Sequence, residues 1–139
     1  MGESMLEKYF NTDCLYFTFR VFIGLLFLQH GLQKLFGAFG GVAGNGQPVQ
    51  LFSLFGLAGL IEFIAGLAIA FGLFTRLAAF ISAIEMLVAY FMVHAKASLI
   101  PLVNQGELAL LYFAAFLPLM MYGAKKWGIE NAILKKEVF

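Results

Sequence analysis

Cysteine is nearly absent from this chain, Cys14 being the single one. That excludes an intramolecular disulfide and a CxxC dithiol relay, so any redox chemistry requires a bound cofactor or a partner. Charge is scarce as well. Only 12% of the residues are Asp, Glu, Lys or Arg, where a soluble domain typically carries about 25%. A chain of 139 residues has much surface for its volume, and so little charge cannot cover that surface in water. An excess of either sign is also missing: the net charge is +1, and no basic run interleaved with aromatics is present, which removes nucleic acid as a partner. The first apolar run is preceded by Glu3, Glu7 and Asp13 against a lone Lys8, unlike the basic leader of a cleaved signal peptide. The Met-Gly start lacks the Ser or Thr that myristoylation wants at position 6, where this chain has Leu6.

What is present is apolar. Hydrophobic residues make up 62% of the chain and the mean hydropathy is +0.89, as suits a protein whose surface faces lipid. A bilayer core about 30 Å thick takes roughly 20 helical residues. The pattern predicts an all-α, polytopic membrane four-helix bundle forming a single membrane domain over 1–139, with spans at about 14–36, 50–74, 76–94 and 107–122. Asp13 is the expected cap of the first helix and Thr75 that of the third. The Gly-rich segment 37–46 reads as a flexible loop, and Pro118 is expected to kink the last span. Four spans put both termini and the central turn on one side, together with Lys8, Arg20, Arg76, Lys125, Lys126, Lys135 and Lys136, whereas Lys34 and Lys96 fall on the other. Positive charge marks the cytoplasmic side, so both termini are expected there, with Trp127 and Tyr122 in the interfacial aromatic belt.

Ionisable side chains within or bordering these spans are Arg20, His30, Lys34, Glu62, Glu85, His94 and Glu107. An intramembrane charge costs at least about 2.5–3.5 kcal/mol, so each is a candidate for function. Arg20, Gly24, Phe27, Gly31 and Lys34 fall within an arc of roughly 80° on a helix, with His30 at its border. This face should point into the bundle, where its glycines permit close backbone approach. Glu62 lies in a stripe with Ala58, Gly66 and Ala70, with Gly59 beside it; Glu85 lies in another with Ala78, Ser82 and Ala89. From the 1.5 Å rise per residue, Glu62 is roughly 18 Å below the outer end of its helix and Glu85 about 13 Å from the inner end of its own. The two carboxyls thus share a depth, and at least one should be protonated or paired with Arg20 or Lys34. His94 lies about 180° from Glu85 on a regular helix, which separates it from that site unless the helix end unwinds. The Arg20–His30–Lys34 face serves equally as an anion or head-group site or as an ion-pair network with Glu62 and Glu107 that fixes helix order. A haem held by His30 and His94 would need facing positions at matched depth. No spacing such as HxxxH supports a metal.

The run RVFIGLLFLQHGLQKLFG, with Arg20, Gly24, Phe27, His30, Gly31, Lys34, Phe36 and Gly37, resembles the first-helix signature of the DoxX family of small bacterial membrane proteins. GLAGLIEFIAGLAIAFGLFTRLAA resembles the second block, through Glu62, Gly66, Gly72, Leu73, Thr75 and Arg76; Ala89, His94, Gly106 and Glu107 resemble the remaining positions, so that the likeness runs from about 15 to 122. The resemblance implies a multi-pass protein of the bacterial inner membrane, a quinone as cofactor, and redox partner proteins. The tail GAKKWGIENAILKKEVF departs from the Gly-rich, Ser-Asp-type ending of many members.

Three functions compete. One is a quinone-linked, redox-associated subunit with a polar intramembrane pocket. A second is a membrane scaffold or assembly partner without chemistry. The third is a transport or lipid-binding module using the midplane carboxyls, for which four short helices suffice best as a homo-oligomer. Four-helix enzymes of the vitamin K epoxide reductase type need paired cysteines and are excluded. The sequence names no reaction and no substrate.

Overall fold

A computed structural model describes residues 11–135, and no strand occurs among them. Lys8, Lys136 and the segment read for leader and lipidation signals lie outside the described residues, except for Asn11, Thr12 and Asp13. The helices are α1 (Thr12–Phe36), α2 (Leu54–Phe71), α3 (Thr75–Ala89, prolonged by a π-helical turn over Tyr90–His94), α4 (Pro101–Asn104), α5 (Glu107–Tyr122) and α6 (Ile129–Leu134). Three stretches, Thr12–Phe36, Leu54–Phe71 and Thr75–His94, are long and apolar enough to cross a membrane; α5 is apolar but shorter.

Local chemistry sets the helix ends, and two expected caps are corrected. Asn11, not Asp13, caps α1: its side chain accepts from the N–H groups of Asp13 (3.0 Å) and Cys14 (3.2 Å). Asp13 sits inside the first turn, where its charge suits the helix dipole. At the start of α3 the capping position belongs to Phe74, held at φ 44°, and its N–H donates to Glu130 Oε2 at 3.0 Å. Thr75 is already inside the helix, fully buried, with no partner for its hydroxyl. The second span is shorter than 50–74, because the Ser53 side chain caps α2 and Gly72, at φ 70°, ends it. The segment after α1 is hydrogen-bonded rather than loose: Val49 N–H donates to Lys34 O at 2.8 Å and Gly46 N–H to Gly40 O at 2.7 Å. Gly37 makes this return possible, since a Cβ there would lie 2.2 Å from Gly46 O.

The helices pack chiefly as two pairs, α1 with α2 and α3 with α5, with α2 against α3 as the next contact. The first pair is a backbone-to-backbone contact. An added Cβ would lie 2.5 Å from Ala70 N at Gly24, 2.5 Å from Phe63 N at Gly31 and 2.6 Å from Leu28 N at Gly66; at Gly59 it would meet the Lys34 Cβ at 2.8 Å. These contacts set an antiparallel register in which Arg20 reaches Ala70 and Lys34 reaches Glu62. The second pair shares a core with α1: Phe27, Ile69, Phe116 and Leu119 are fully buried, and Phe27 meets Phe116 edge-on at 4.9 Å. One end of the bundle therefore gathers residues 12–20, 69–76 and 118–134 (the terminal end). The other gathers 34–54 and 90–107 (the loop end).

Candidate functional site

The Arg20–Lys34 stripe divides between these two ends. Arg20 is fully buried at the terminal end, where Nη1 donates to Ile69 O (2.6 Å) and Ala70 O (2.9 Å) and Nη2 to Trp127 O (3.1 Å). It satisfies the last carbonyls of α2 and ties the 123–134 segment to them, a structural use of a guanidinium's fixed fork. Of the two partners open to the midplane carboxyls, Arg20 is thus removed and Lys34 remains, since Arg20 faces the opposite end.

Between the helix pairs lies a cavity of about 480 Å³, within the roughly 300–1,000 Å³ of small-molecule sites. Four helices supply its polar groups: His30 and Lys34 from α1, Glu62 from α2, Glu85 and His94 from α3 and its π turn, and Tyr112 from α5. Apart from Gln105 the rest of the lining is apolar, including Leu54, Leu57, Ile81, Ile84 and Val88, which are also exposed on the outer faces of α2 and α3. The mouth is thus rimmed by side chains that face lipid.

Inside, Lys34 Nζ donates to Glu62 Oε1, a pair whose side chains are 17% and 3% exposed. Glu85 is 9% exposed, and neither of its carboxyl oxygens has a hydrogen-bond partner; nor has Glu62 Oε2. Buried polar atoms of this kind are rare and costly, and here they border open volume. The His30 ring meets Tyr112 edge-on at 5.7 Å.

His94 and Glu85 border one and the same cavity, contrary to the separation expected from a regular helix. The reason is the π turn: Ala95 N–H donates five residues back, to Tyr90 O at 2.8 Å, and the wider turn rotates each successive side chain by less. The turn is held by contacts remote in sequence. Tyr90 Oη donates to Leu99 O (2.8 Å), Asn104 Nδ2 donates to Ser98 O (2.7 Å), and Asn104 Oδ1 accepts from Gly106 N–H (2.7 Å). His94 Nδ1 bonds Asn104 O at 3.0 Å.

Glu107 is a second correction. It is exposed in the first turn of α5, outside the cavity, where the helix dipole rather than a buried cation accommodates its charge. The buried polar residue of that neighbourhood is Asn104. Asn104, Tyr112 and Glu130 escaped the sequence reading. For Tyr112 a signal exists, because Ala109, Tyr112, Phe116 and Leu119 form a buried 3-4-3 stripe. Glu130 and Asn104 lie in short helices, beside Asn131 and Gln105, too short to show a periodicity.

The DoxX family profile matches residues 15–95. The chain belongs to the DoxX family. The match spans α1 to the π turn and so contains His30, Lys34, Glu62, Glu85 and His94, but stops short of α5 and Tyr112. A protein of Haemophilus influenzae that bears only the description "uncharacterized" is 38% identical over 124 residues, covering 84% of this chain and 89% of that protein. No solved structure matches. DoxX membership and the three long apolar helices make this a multi-pass integral membrane protein.

Proposed function

We propose that this DoxX-family chain is a quinone-linked, redox-associated subunit of the bacterial inner membrane that holds a quinone head group in the cavity between its helix pairs. The observation that carries the reading is Glu85: a buried carboxyl with both oxygens unpartnered, bordering a largely apolar cavity. A quinol offers hydroxyl donors to such acceptors, and a quinone offers carbonyls to His30, Tyr112 and Lys34. The apolar rim of α2 and α3 leaves an isoprenoid tail in lipid. When bound, the quinone supplies two-electron, two-proton chemistry. The protein's own residues orient it and exchange its protons. With one cysteine, the chain provides no dithiol for the electrons, which go to or come from a partner protein.

In this reading α5 is the fourth span, although its 16 residues rise only about 24 Å against a core of about 30 Å. The basic residues of the terminal end, Arg76, Lys125, Lys126 and Lys135, support a cytoplasmic position for both termini. The test is organic extraction of the detergent-purified protein followed by mass spectrometry. Wild type is expected to retain quinone, and His30→Ala or Glu85→Leu to lower retention at least tenfold while each elutes as a folded species. A folded wild-type protein without quinone sinks the proposal.

A further inference from the structure

We propose that the cavity exchanges protons with one aqueous side only, the loop end of the bundle, by way of His94. The inference rests on the cavity being a ligand site and adds a direction to its proton traffic. Three observations lead to it.

The first is where the ionisable groups lie. Every titratable side chain facing the cavity (His30 and Lys34 from α1, Glu62 from α2, Glu85 and His94 from α3 and its π turn, Tyr112 from α5) lies on the loop-end side of Phe27 and Phe116. Lys34 and His94 keep partial exposure there, and Gln105, exposed, lines the cavity beside them.

The second is the barrier towards the terminal end. Phe27, Ile69, Phe116 and Leu119 are all fully buried between the cavity and Arg20, joined by Ala79 and Ala83. On α3 the buried polar residues beyond Glu85 are Ser82 and Thr75, Arg76 being exposed at the terminal end. Ser82 and Thr75 are seven positions apart, about 10 Å along the axis, with Ala78 and Ala79 between, too far for a proton to pass without water. Both hydroxyls are buried and unpartnered, so no hydrogen-bonded chain links them.

The third is the state of His94. A carbonyl oxygen only accepts, so the bond to Asn104 O fixes the hydrogen on Nδ1. In the neutral ring Nε2 then presents its lone pair. Water in the cavity of about 480 Å³ can bring to it a proton that a ligand hydroxyl has given to Glu85, nine residues back along α3, and His94 can pass that proton to water at the loop end, the charge moving with the proton at each step. No electron transfer is involved in this relay.

Two measurements test the direction, and neither contains a ligand. In a Cys14→Ser background, Ala58→Cys and Ala89→Cys place thiols on the cavity lining, to be labelled by a small membrane-impermeant sulfonated thiol reagent in vesicles of each orientation. Labelling is expected at least tenfold faster from the loop end. Equal rates from both sides, faster labelling from the terminal end, or no labelling from either side overturns the proposal. The second uses the unmodified cavity. The infrared carboxyl band that Glu85→Gln removes should follow the pH of the loop-end compartment and ignore the other, and His94→Leu should slow that response at least tenfold. A band that follows the terminal-end pH, that never responds, or whose response His94→Leu leaves unchanged refutes it. Loss of quinone retention with one-sided access would leave the direction standing and remove only the occupant.

Discussion

Removing Lys34 should harm the fold far more than removing Glu62, and removing both should harm it least. Glu62 is 3% exposed and depends on Lys34 for its only hydrogen bond, its second oxygen having none. Lys34→Met therefore strands a buried carboxyl, a change that typically costs 3–5 kcal/mol. Glu62→Leu strands an ammonium instead, but Lys34 is 17% exposed near the loop end, and its flexible stem lets the charge move towards water. That single change should cost roughly 1–2 kcal/mol, since the desolvation penalty is largely escaped. With both replaced, apolar atoms fill the space of the pair, and the cost should fall to within about 1 kcal/mol of wild type. The interaction energy of the cycle is then at least ~3 kcal/mol. The assay is equilibrium unfolding in mixed micelles with rising dodecyl sulfate, followed by the fluorescence of Trp127, the chain's single tryptophan, which packs edge-on against Phe17 at 5.5 Å. Additive single mutants, or a Glu62→Leu cost equal to that of Lys34→Met, would refute this account of the pair.

Gly31→Ala should destabilise by about 1–2 kcal/mol in the same assay, because a Cβ 2.5 Å from Phe63 N forces two backbones apart and overpacking outweighs the helix propensity gained. A more stable variant would disprove the α1–α2 contact. Ser82→Ala should do the opposite and stabilise by about 1 kcal/mol, since its hydroxyl is buried without a partner; a loss of stability would reveal a partner. Arg20→Met should cost about 3 kcal/mol or more by orphaning the carbonyls of Ala70 and Trp127 and leaving Ile69 O only the Gly72 N–H, and should shift the Trp127 emission to the red as the 123–134 segment loosens. An unchanged spectrum would show that Arg20 does not hold that segment.

The parts of this molecule legible in its sequence are those governed by local periodicity. The α1 face of Arg20, Gly24, Phe27, Gly31 and Lys34 follows from the helical repeat, and these residues except Lys34 are the buried ones of that helix. The bounds 107–122 coincide with α5 because Gly106 and Gly123 flank it. Illegible were features set by contacts distant in the chain. The π turn that aims His94 at the cavity depends on Leu99, Ser98 and Asn104, none of which has a periodic relation to it. Glu130 serves Phe74 across 56 positions, so Thr75 took the role by default in a local reading. Glu107 was grouped with the cluster because a carboxyl beside a span suggests a partner, whereas a helix N-terminus stabilises it at the surface unaided.

One register explains why a single basic stripe serves two purposes. Backbone contact at Gly24–Gly66 and Gly31–Phe63 leaves no room between α1 and α2 for a long side chain midway. The cations must therefore sit at the ends of the glycine run, where antiparallel pairing sets Arg20 opposite the last turn of α2 and Lys34 opposite Glu62. The last turn of a helix offers carbonyls without intrahelical partners, which a planar guanidinium with several donors satisfies at once. Mid-helix carbonyls are already engaged, so at the other end the partner must be a side chain, and a carboxyl on that stripe meets the ammonium. The first end becomes a closed clasp on those carbonyls. The second cannot close: one ammonium faces the two carboxyls Glu62 and Glu85, and the surplus oxygens border the cavity. The open valence of the site thus follows from where the helices touch.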